Sequence, residues 1–525
     1  MSFISWQYAL LLAGVFAFYW RLPCRGRIWL LLGASYFFYG VWDVRFLALL
    51  LASTVIDFFC GLAIAGERRP TAQMLLSACL PAAWLGLYSS CFPAGARVDG
   101  WILGTAAAFP VVFTLLYLAL WRMPAARQKR AFLLLSIVSN LGVLVFFKYF
   151  NFFGDAVVAL LARLGWQADW TLPQIILPVA ISFYTFQSIA YSVDIYRGKA
   201  RPARDFVTFA AYLSFFPQLV AGPIERPNDL LPQFEKAAAW SMEHLHHGLR
   251  LLLVGLFKKV FVADNCALLA NHAFAADTPL NAPWAVLGVV AFAFQIYGDF
   301  SGYTDLARGS ARLLGIHLSD NFHFPYFAKG PSDFWRRWHI TLSAWFRDYV
   351  YIPLGGNRAG AARTLFNLWL TMLLAGLWHG ASWTFVLWGA FHGALLILYR
   401  VTPALGKLEQ SQGTLGTALA TGLMFAFTLF GWALFRCHNL VELTHWFAAL
   451  GHWQVAGALD WVKPFCWLLL HVVPLLLLQA ATWRQRDEAE LQHLPWIARG
   501  AAYVLMIAAV ATSAGAHVEF IYFQF

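Results

Sequence analysis

Charged side chains are scarce in this sequence. Asp, Glu, Lys and Arg make up 12% of the 525 residues, whereas hydrophobic residues make up 60% and the mean hydropathy is +0.61. Soluble domains carry about 25% charged residues, so a chain this apolar could not cover the surface of a soluble protein. The scarcity of charge excludes a soluble domain and indicates a protein that crosses the lipid bilayer many times.

Paired cysteines and common catalytic motifs are also missing. The seven cysteines are scattered without a CxxC pair, which argues against a disulfide framework and a structural zinc site. There is no HExxH, GxSxG, Walker A or GxGxxG motif. We therefore expect no metal and no tightly bound cofactor. The net charge of +11 does not indicate nucleic-acid binding, because the basic residues are spread over many short loops.

The apolar runs predict an all-α fold. Since one membrane crossing needs roughly 20 apolar residues, they predict roughly 11–13 transmembrane helices, with re-entrant and interfacial helices besides. In the first two hundred residues every second loop is basic, which places these loops in the cytoplasm and the N-terminus on the outer side. The four basic loops lie at 21–27, 68–69, 122–130 and 197–204, and the residues between 151 and 171 form an outer loop in this topology.

Three later stretches depart from simple spans. The run 206–222 contains Pro217, is short for a crossing, and is predicted to be re-entrant. The stretch 295–315 carries many polar groups, and two interpretations are equally open: a polar turn at a helix end, or part of a site. Aromatic residues in 333–351 recur at three- and four-residue steps, which predicts one amphipathic helix in the membrane interface.

Three of the fifteen histidines fall within 333–393, namely His339, His379 and His392. Ionisable residues are costly to keep in a membrane, so a functional role is the default interpretation. On one straight helix, the thirteen residues from His379 to His392 span about 20 Å, so the two can share a site only if the helix breaks, as it could at Gly380. We therefore expect His379 to act with His339, and His392 to be a packing residue.

His379 has the chemistry of a proton-transfer group. An unperturbed imidazole titrates near pH 6.5, so it can take a proton from an alcohol and return it near neutral pH. Acyl transfer to a hydroxyl needs such a base, together with donors for the developing oxyanion. The neighbouring Trp378 and Trp383 could exclude water from a thioester.

At these residues the sequence resembles the membrane-bound O-acyltransferase (MBOAT) family, with the bacterial branch of alginate-type polysaccharide O-acetyltransferases as the best match. The resemblance runs from about Phe147 to the C-terminus. It is densest in the blocks LPVAISFYTFQSIAYSVDIYRG, FFPQLVAGPIER, YGDFSGYTDLARG, DFWRRWHITLSAWFRDYVYIPLGGNR and GLWHGASWTFVLWGAFHG. It implies that His379, in the WHG triplet, is the catalytic histidine. His339, in FWRRWH, is then the second characteristic histidine, which positions or polarises the acyl group.

The resemblance also implies a site, a donor and partners. The expected fold is a ring of tilted helices around a thin centre, with a cytoplasmic funnel for an acyl-CoA or acyl-carrier donor, in the first place acetyl-CoA. A periplasmic acetyltransferase partner, an exopolysaccharide acceptor and a bacterial inner membrane with a periplasmic N-terminus complete the expectation. The residues expected to bind substrate are Trp335, Arg336, Arg337, Trp338, Asp299, Ser301, Tyr303, Asp305, Asn357, Trp378 and Trp383.

The chain is expected to form a single acyltransferase domain over residues 1–525. Within it, residues 1–146 would form N-terminal helices that include an extra hairpin at 73–121. Residues 147–400 would form the family core, and 401–525 the C-terminal helices. Two alternatives stay open: D-alanyl transfer from a carrier protein to teichoic acid, and a polysaccharide or lipid transporter built on broken helices.

Overall fold

The computed structural model describes residues 1–91, 98–166, 175–236, 238–275, 280–453, 461–513 and 518–521. Throughout these residues the structure is helical without a β-strand, which confirms the all-α prediction. Nine helices in the described ranges are long and apolar enough to span a membrane. Two shorter apolar helices, Trp6–Tyr19 and Leu440–Leu450, bring the apolar helices to eleven. The protein is therefore a multi-pass membrane protein.

The helices divide between two compact units, Met1–Leu245 with Ser310–Leu318, and His246–Gly309 with Ser319–Phe525. The first eleven helices are α1 (Trp6–Tyr19), α2 (Cys24–Gly40), α3 (Phe46–Ala65), α4 (Thr71–Ala78), α5 (Leu80–Cys91), α6 (Gly100–Trp121), α7 (Ala125–Arg163), α8 (Ile181–Tyr196), α9 (Phe206–Ser214), α10 (Phe216–Leu219) and α11 (Pro227–Glu235). The next are α12 (Met242–Leu256), α13 (Asp264–Ala273), α14 (Ala282–Leu313), α15 (Pro331–Trp335), α16 (Ile340–Phe346), α17 (Ala361–His379), α18 (Trp383–Val401), α19 (Pro403–Glu409), α20 (Thr414–Arg436), α21 (Leu440–Leu450), α22 (Val462–Ala481) and α23 (Trp496–Ser513). The single-domain assignment and its three-part division stay predictions.

Helix α3 lies at the centre of the first unit. Its span is 83% buried, and it carries the fully buried Asp57. Ser136 Oγ and Asn140 Nδ2 on α7 donate hydrogen bonds to Asp57 Oδ1 at 2.6 and 2.8 Å, and Ser136 also bonds Ser192 on α8 at 2.7 Å. A buried carboxyl is stable only when it is hydrogen-bonded, so this polar cluster fixes α3, α7 and α8 in one register.

The extra hairpin predicted at 73–121 corresponds to α4, α5 and α6. The spans 71–91 and 100–121 are only 22% and 17% buried, so most of their surface is left for lipid. Between the hairpin, α3 and α7 lies an apolar cavity of about 400 Å³. The hairpin is therefore an outer layer of the first unit.

Of two predictions for the first unit, the loop at 151–171 is wrong and the break in 206–222 is present. The outer loop predicted at 151–171 is wrong for residues 151–163, because α7 continues through them without a proline to interrupt it. Residues 167–174 lie outside the described ranges. The run 206–222 is broken, as the proline indicated: α9 ends at Ser214, Phe215 is extended, and α10 begins at Phe216 with Pro217 in its first turn.

The polar stretch 295–315 is mostly the interior of a long helix. Helix α14 continues to Leu313, so the polar turn at a helix end is wrong. The span of α14 is 89% buried, and its polar residues therefore face protein instead of lipid. The carboxylates of Asp299 and Asp305 are paired with two lysines of a π-helical segment, Phe257–Ala263, which lies between α12 and α13.

The segment 333–351 is not one amphipathic helix, which corrects the prediction. It consists of α15, α16 and a π-helical turn at Arg347–Tyr351. The break falls at His339, whose φ of +43° is incompatible with a right-handed helix. The Ile340 N–H donates to the Asn321 carbonyl at 3.0 Å, outside any helix. The aromatic periodicity nevertheless marked the inner face, since Trp338, Leu342 and Trp345 are buried.

Helices α17 and α18 pack closely and form the part of the second unit that carries His379. Three glycines let the two backbones approach each other: Gly376 against the Phe385 carbonyl, Gly389 against Met372, and Gly393 against Trp369. A β-carbon on Gly389 would stand 2.5 Å from the Met372 carbonyl oxygen and 3.0 Å from the Leu373 Cα. Small residues at such crossings are what allow membrane helices to pack at short range.

Candidate active site

His379 is the last residue of α17, directly before the break between α17 and α18. Gly380 is extended there, with φ −164° and ψ 155°, so the predicted break at this glycine is present. The imidazole is 5% exposed and stands among three aromatic rings, with centroid distances of 5.0 Å to Trp378, 5.0 Å to Trp388 and 5.3 Å to Phe435. An imidazole walled by aromatic rings is shielded from bulk water.

His379 also lines a cavity of about 450 Å³, which is large enough for part of a substrate. Of the predicted site residues, the cavity brings together His379, Trp335 and Arg336. The remaining wall is mostly apolar, and its polar side chains are Ser332, Ser343, Arg347, Tyr351 and Thr371. The lining consists of Ser332, Trp335, Arg336, Ile340, Leu342, Ser343, Ala344, Phe346, Arg347, Tyr351, Leu368, Thr371, Met372, Ala375, His379, Trp388 and Leu396.

His339 is fully buried and does not line this cavity. Its ring contacts Phe300 at 4.7 Å and Trp378 at 6.1 Å, and Trp378 in turn contacts His379. The predicted histidine pair is thus connected through Trp378. Burial lowers the pKa of His339 to about 3, so the ring is neutral at physiological pH.

The neighbours of His339 in FWRRWH have separate roles. Arg337 is ion-paired with Asp333, Nε to Oδ1 at 2.8 Å, and therefore holds α15 together instead of facing the cavity. Trp338 is 1% exposed and packs against Trp432 at 4.7 Å and Phe322 at 5.1 Å. Of this motif, only Trp335 and Arg336 reach the cavity.

Asp299 and Asp305 are placed in buried ion pairs, away from the cavity lining. Lys259 Nζ lies 2.8 Å from both Asp299 Oδ1 and Asp264 Oδ1, and Lys258 Nζ lies 2.6 Å from Asp305 Oδ2. The side chains of Lys259 and Asp299 are 1% and 3% exposed. Charges this buried and this well paired indicate a structural role, because each would be costly without its partner.

The same network extends to the loop after α22. Lys258 Nζ also lies 3.2 Å from Glu488 Oε2, and Arg308 Nη2 lies 3.1 Å from Asp487 Oδ2. Burial acts to raise the pKa of Asp487, but the Arg308 guanidinium outweighs it and lowers the pKa to about 2. The loop is therefore held in part by the carboxylate of Asp487, which stays charged at neutral pH.

The remaining predicted binding residues are dispersed. Ser301 is 1% exposed on α14, and Tyr303 stacks on Phe520 with centroids 4.2 Å apart. Asn357 is exposed in the turn after Gly356, and Trp383 is 58% exposed at the start of α18. None of these four lines the cavity of His379. Trp378 does not line it either, but it contacts both histidines.

Sequence reasoning missed three residues that shape this region. Trp388 contacts His379 and, at 4.7 Å, His392, which lies in an aromatic cluster as expected for a packing histidine. Asn321 holds the turn that carries His339, and Asn367 Nδ2 donates to the carbonyls of the glycine turn at 3.2 and 3.1 Å. Trp388 had a signal, its place in the block around His392. The two asparagines had none, because each acts across a loop.

Comparison with known proteins shows the family of this chain. A model of the membrane-bound O-acyltransferase family matches residues 203–435, a range that contains both histidines. The "Probable alginate O-acetylase AlgI" of Azotobacter vinelandii is 37% identical over 443 residues, or 83% of this chain and 76% of the relative. The chain belongs to the membrane-bound O-acyltransferase family. It is an O-acyltransferase.

Two further relatives of this membrane-bound O-acyltransferase differ in substrate. The peptidoglycan O-acetyltransferase of Helicobacter pylori is 33% identical over 448 residues, which is 80% of this chain and 73% of the relative. The teichoic acid D-alanyltransferase of Bacillus subtilis is 27% identical over 278 residues, 49% of this chain and 68% of the relative. The cavity combines a buried imidazole, several aromatic side chains and the guanidinium of Arg336.

Proposed function

We propose that this protein moves an acetyl group from a cytoplasmic thioester donor across the bacterial inner membrane, for O-acetylation of an extracytoplasmic polysaccharide such as alginate. The observation that carries the proposal is His379, which ends α17 inside a cavity of about 450 Å³ with aromatic walls and Arg336 in its lining. The similarity to proteins named for the O-acetylation of alginate and peptidoglycan supports the acetyl group and the polysaccharide.

In the proposed reaction, His379 acts as general base. It takes the proton of the acceptor hydroxyl while the hydroxyl oxygen attacks the thioester carbonyl carbon. The C–S bond then breaks, His379 returns the proton to the leaving thiolate, and the products are an ester and a free thiol. General bases of this kind contribute about 10²- to 10⁴-fold to a rate. Trp388, which lines the cavity and contacts His379, limits hydrolysis by keeping water from the thioester.

Two arginines line the cavity, and one of them suits the donor. Arg347 is paired with Asp348, Nε to Oδ1 at 2.8 Å, whereas Arg336 has no ion-pair partner within 4 Å among the described residues. Acetyl-CoA and an acyl-carrier prosthetic group both carry phosphate, for which a guanidinium is a preferred ligand. Arg336 is thus the residue we assign to the donor. Asp299, Asp305 and Arg337 are left out of the donor path because they are engaged in ion pairs.

The topology belongs to the same proposal. Basic loops at 21–27, 68–69, 122–130 and 197–204 favour a periplasmic N-terminus. A periplasmic acetyltransferase partner would then receive the acetyl group and place it on the exopolysaccharide. Labelling of single cysteines introduced into the basic loops checks the orientation: reagent should reach them only from the cytoplasmic side.

One alternative, D-alanyl transfer to teichoic acid, is still supported. The similarity to a D-alanyltransferase of teichoic acid favours the same acyl chemistry with a different acyl group and a carrier-protein donor, although it covers about half of the chain. The other alternative was a transporter built on broken helices. It is no longer supported, because the chain belongs to a family of acyltransferases.

Membrane vesicles of defined orientation test the proposal. Acetyl-CoA labelled in its acetyl group is supplied to the cytoplasmic face of vesicles that contain the protein, the periplasmic acetyltransferase partner and polysaccharide. We expect free CoA and alkali-labile label on polysaccharide, with neither product when the donor is confined to the periplasmic face. Transfer of D-alanine but not acetyl under matched conditions would replace the proposal with its rival, and equal reaction from both faces would contradict the assigned direction.

A further inference from the structure

Asn321 is hydrogen-bonded to the turn that carries His339. It lies in the loop after α14 and is 1% exposed. Its backbone carbonyl accepts from the Ile340 N–H at 3.0 Å. Its side-chain Oδ1 faces three groups: the Thr341 N–H at 3.2 Å, the Thr341 hydroxyl at 3.0 Å and His339 Nδ1 at 3.1 Å. One buried asparagine thus holds the residues on both sides of the helix start.

These contacts decide which ring nitrogen of His339 carries the hydrogen. The Thr341 backbone N–H can only donate, so the atom of Asn321 that faces it must be the oxygen and not the amide nitrogen. An amide oxygen can only accept, so His339 Nδ1 must carry a hydrogen and donate to it. Because burial keeps the ring neutral, Nε2 then has a lone pair and no hydrogen.

His339 Nε2 is buried and makes no hydrogen bond within the described part of the chain. A buried acceptor without a donor is unfavourable, so such an atom calls for a water or a ligand. The backbone adds a second sign of function, since His339 adopts the left-handed conformation, which non-glycine residues keep mainly where the surroundings enforce it. The ring that carries this unpartnered acceptor contacts Trp378, which in turn contacts His379.

We infer that Asn321 is a positioning residue that presents His339 Nε2 as a hydrogen-bond acceptor for an O–H or N–H group of a substrate. The inference rests on the proposed acyl transfer and changes the role of His339 within it. A group that polarises an acyl carbonyl must donate a hydrogen bond, and the tautomer held by Asn321 cannot do so from Nε2. The bound group is the acceptor hydroxyl or an amide N–H of the arm that carries the thioester.

The tautomer is measurable without turnover. The full-length protein, labelled with ¹⁵N-histidine, is placed in lipid bilayers at pH 7, and the His339 signals are identified by their loss in His339→Asn. We expect a protonated Nδ1 and a non-protonated Nε2. A hydrogen on Nε2 would overturn the inference. Because no acyl donor is needed, this result is independent of whether the proposed function holds.

Two substitutions of His339 distinguish the roles of its two ring nitrogens. Asparagine places its amide nitrogen near the Nδ1 position and keeps the bond to Asn321, whereas glutamine reaches the Nε2 position and offers an oxygen there. We expect His339→Asn to lose about 100-fold or more in acyl transfer at normal protein level, and His339→Gln to recover part of it. Equal activity of His339→Asn and wild type would overturn the role of Nε2.

The substrate group is identified by two assays on the same variants. Release of CoA from acetyl-CoA without an acceptor reports the donor, and transfer to polysaccharide reports the acceptor hydroxyl. A defect of His339→Asn in both assays assigns Nε2 to the amide N–H of the donor. A defect in transfer alone assigns it to the hydroxyl. Absence of a defect in either assay contradicts the inference.

Asn321→Asp tests the positioning role itself. The carboxylate keeps an oxygen for Thr341 and His339, but its charge favours the imidazolium and so raises the pKa of His339. The pH at which the ¹⁵N signals of His339 titrate should therefore move to higher pH in Asn321→Asp, while Asn321→Leu should lose about 10- to 100-fold in kcat. A merely structural asparagine would change protein level in both variants and leave the titration of His339 in the surviving protein unchanged.

Discussion

Lys259 should be essential for stability and dispensable for chemistry. Its ammonium lies 2.8 Å from the carboxylates of Asp264 and Asp299, and the three side chains are 1%, 1% and 3% exposed. Replacing Lys259 with methionine leaves two buried carboxylates facing each other without a cation. Removing one partner of a buried ion pair typically costs about 3–5 kcal/mol, and here two anions lose the same partner, so the upper half of that range is expected.

The loss should also release the C-terminal segment. Lys259 Nζ donates to the Val518 carbonyl at 2.8 Å, and Asp299 Oδ2 accepts from the Ile521 N–H at 2.7 Å. The melting temperature of the detergent-solubilised protein, followed by size-exclusion chromatography after heating, is the assay. The triple variant Lys259→Met, Asp264→Asn, Asp299→Asn removes all three charges and should regain most of the loss.

Two results would refute this reasoning. One is a Lys259→Met protein with the same melting temperature as the wild type. The other is a triple variant no more stable than the single one, because the cost would then not come from uncompensated charge. Asp299→Asn serves as the functional control: whatever folded protein survives should keep its wild-type kcat, in contrast to the substrate-binding role expected from the sequence.

Three shorter predictions concern packing, pH and the donor. Gly389→Ala should destabilise the protein by about 1–3 kcal/mol through overpacking between α17 and α18, whereas Gly422→Ala on α20, where a β-carbon meets nothing within 4 Å, should not; melting temperatures compare the two. Burial lowers the pKa of His339 from 6.5 to about 3, so below pH 6.5 protonation favours the unfolded chain and the stability of the folded protein should fall as the pH falls towards 3; His339→Asn should reduce that decline in a melting series against pH. Arg336→Ala should raise KM for acetyl-CoA about tenfold with a smaller change in kcat and a weaker salt dependence, while the exposed Arg363→Ala should leave KM unchanged; an unaltered KM in Arg336→Ala would remove Arg336 from the donor site.

The fold class followed from the sequence because it depends on composition and periodicity. Apolar runs placed most of the early helices, and a lone glycine after His379 marked the break between α17 and α18. The length of α7 does not follow from the sequence, because the scattered charges at 151–163 resemble those of a loop although nothing there interrupts a helix.

The site was only partly predictable, for a physical reason. His379, Trp335 and Arg336 lie on one cavity, and their motif marked them. Asp299 and Asp305 looked equally functional, because a buried charge looks the same in sequence whether it binds a substrate or a lysine. Only the distances to Lys258 and Lys259 separate the two cases. Asn321 carried no signal at all, since its role depends on a loop that meets the turn at His339.

The central claim, that His379 carries acyl transfer to polysaccharide, is tested most directly by polysaccharide-bound O-acetyl in cells that make the wild type, His379→Ala or His445→Ala. His445 is an exposed histidine on α21 and is the matched control. Membrane protein level is measured in parallel. We predict that acetyl is lost with His379→Ala at normal protein level and is retained with His445→Ala. Wild-type acetylation by His379→Ala would contradict the assignment of His379 as the catalytic base.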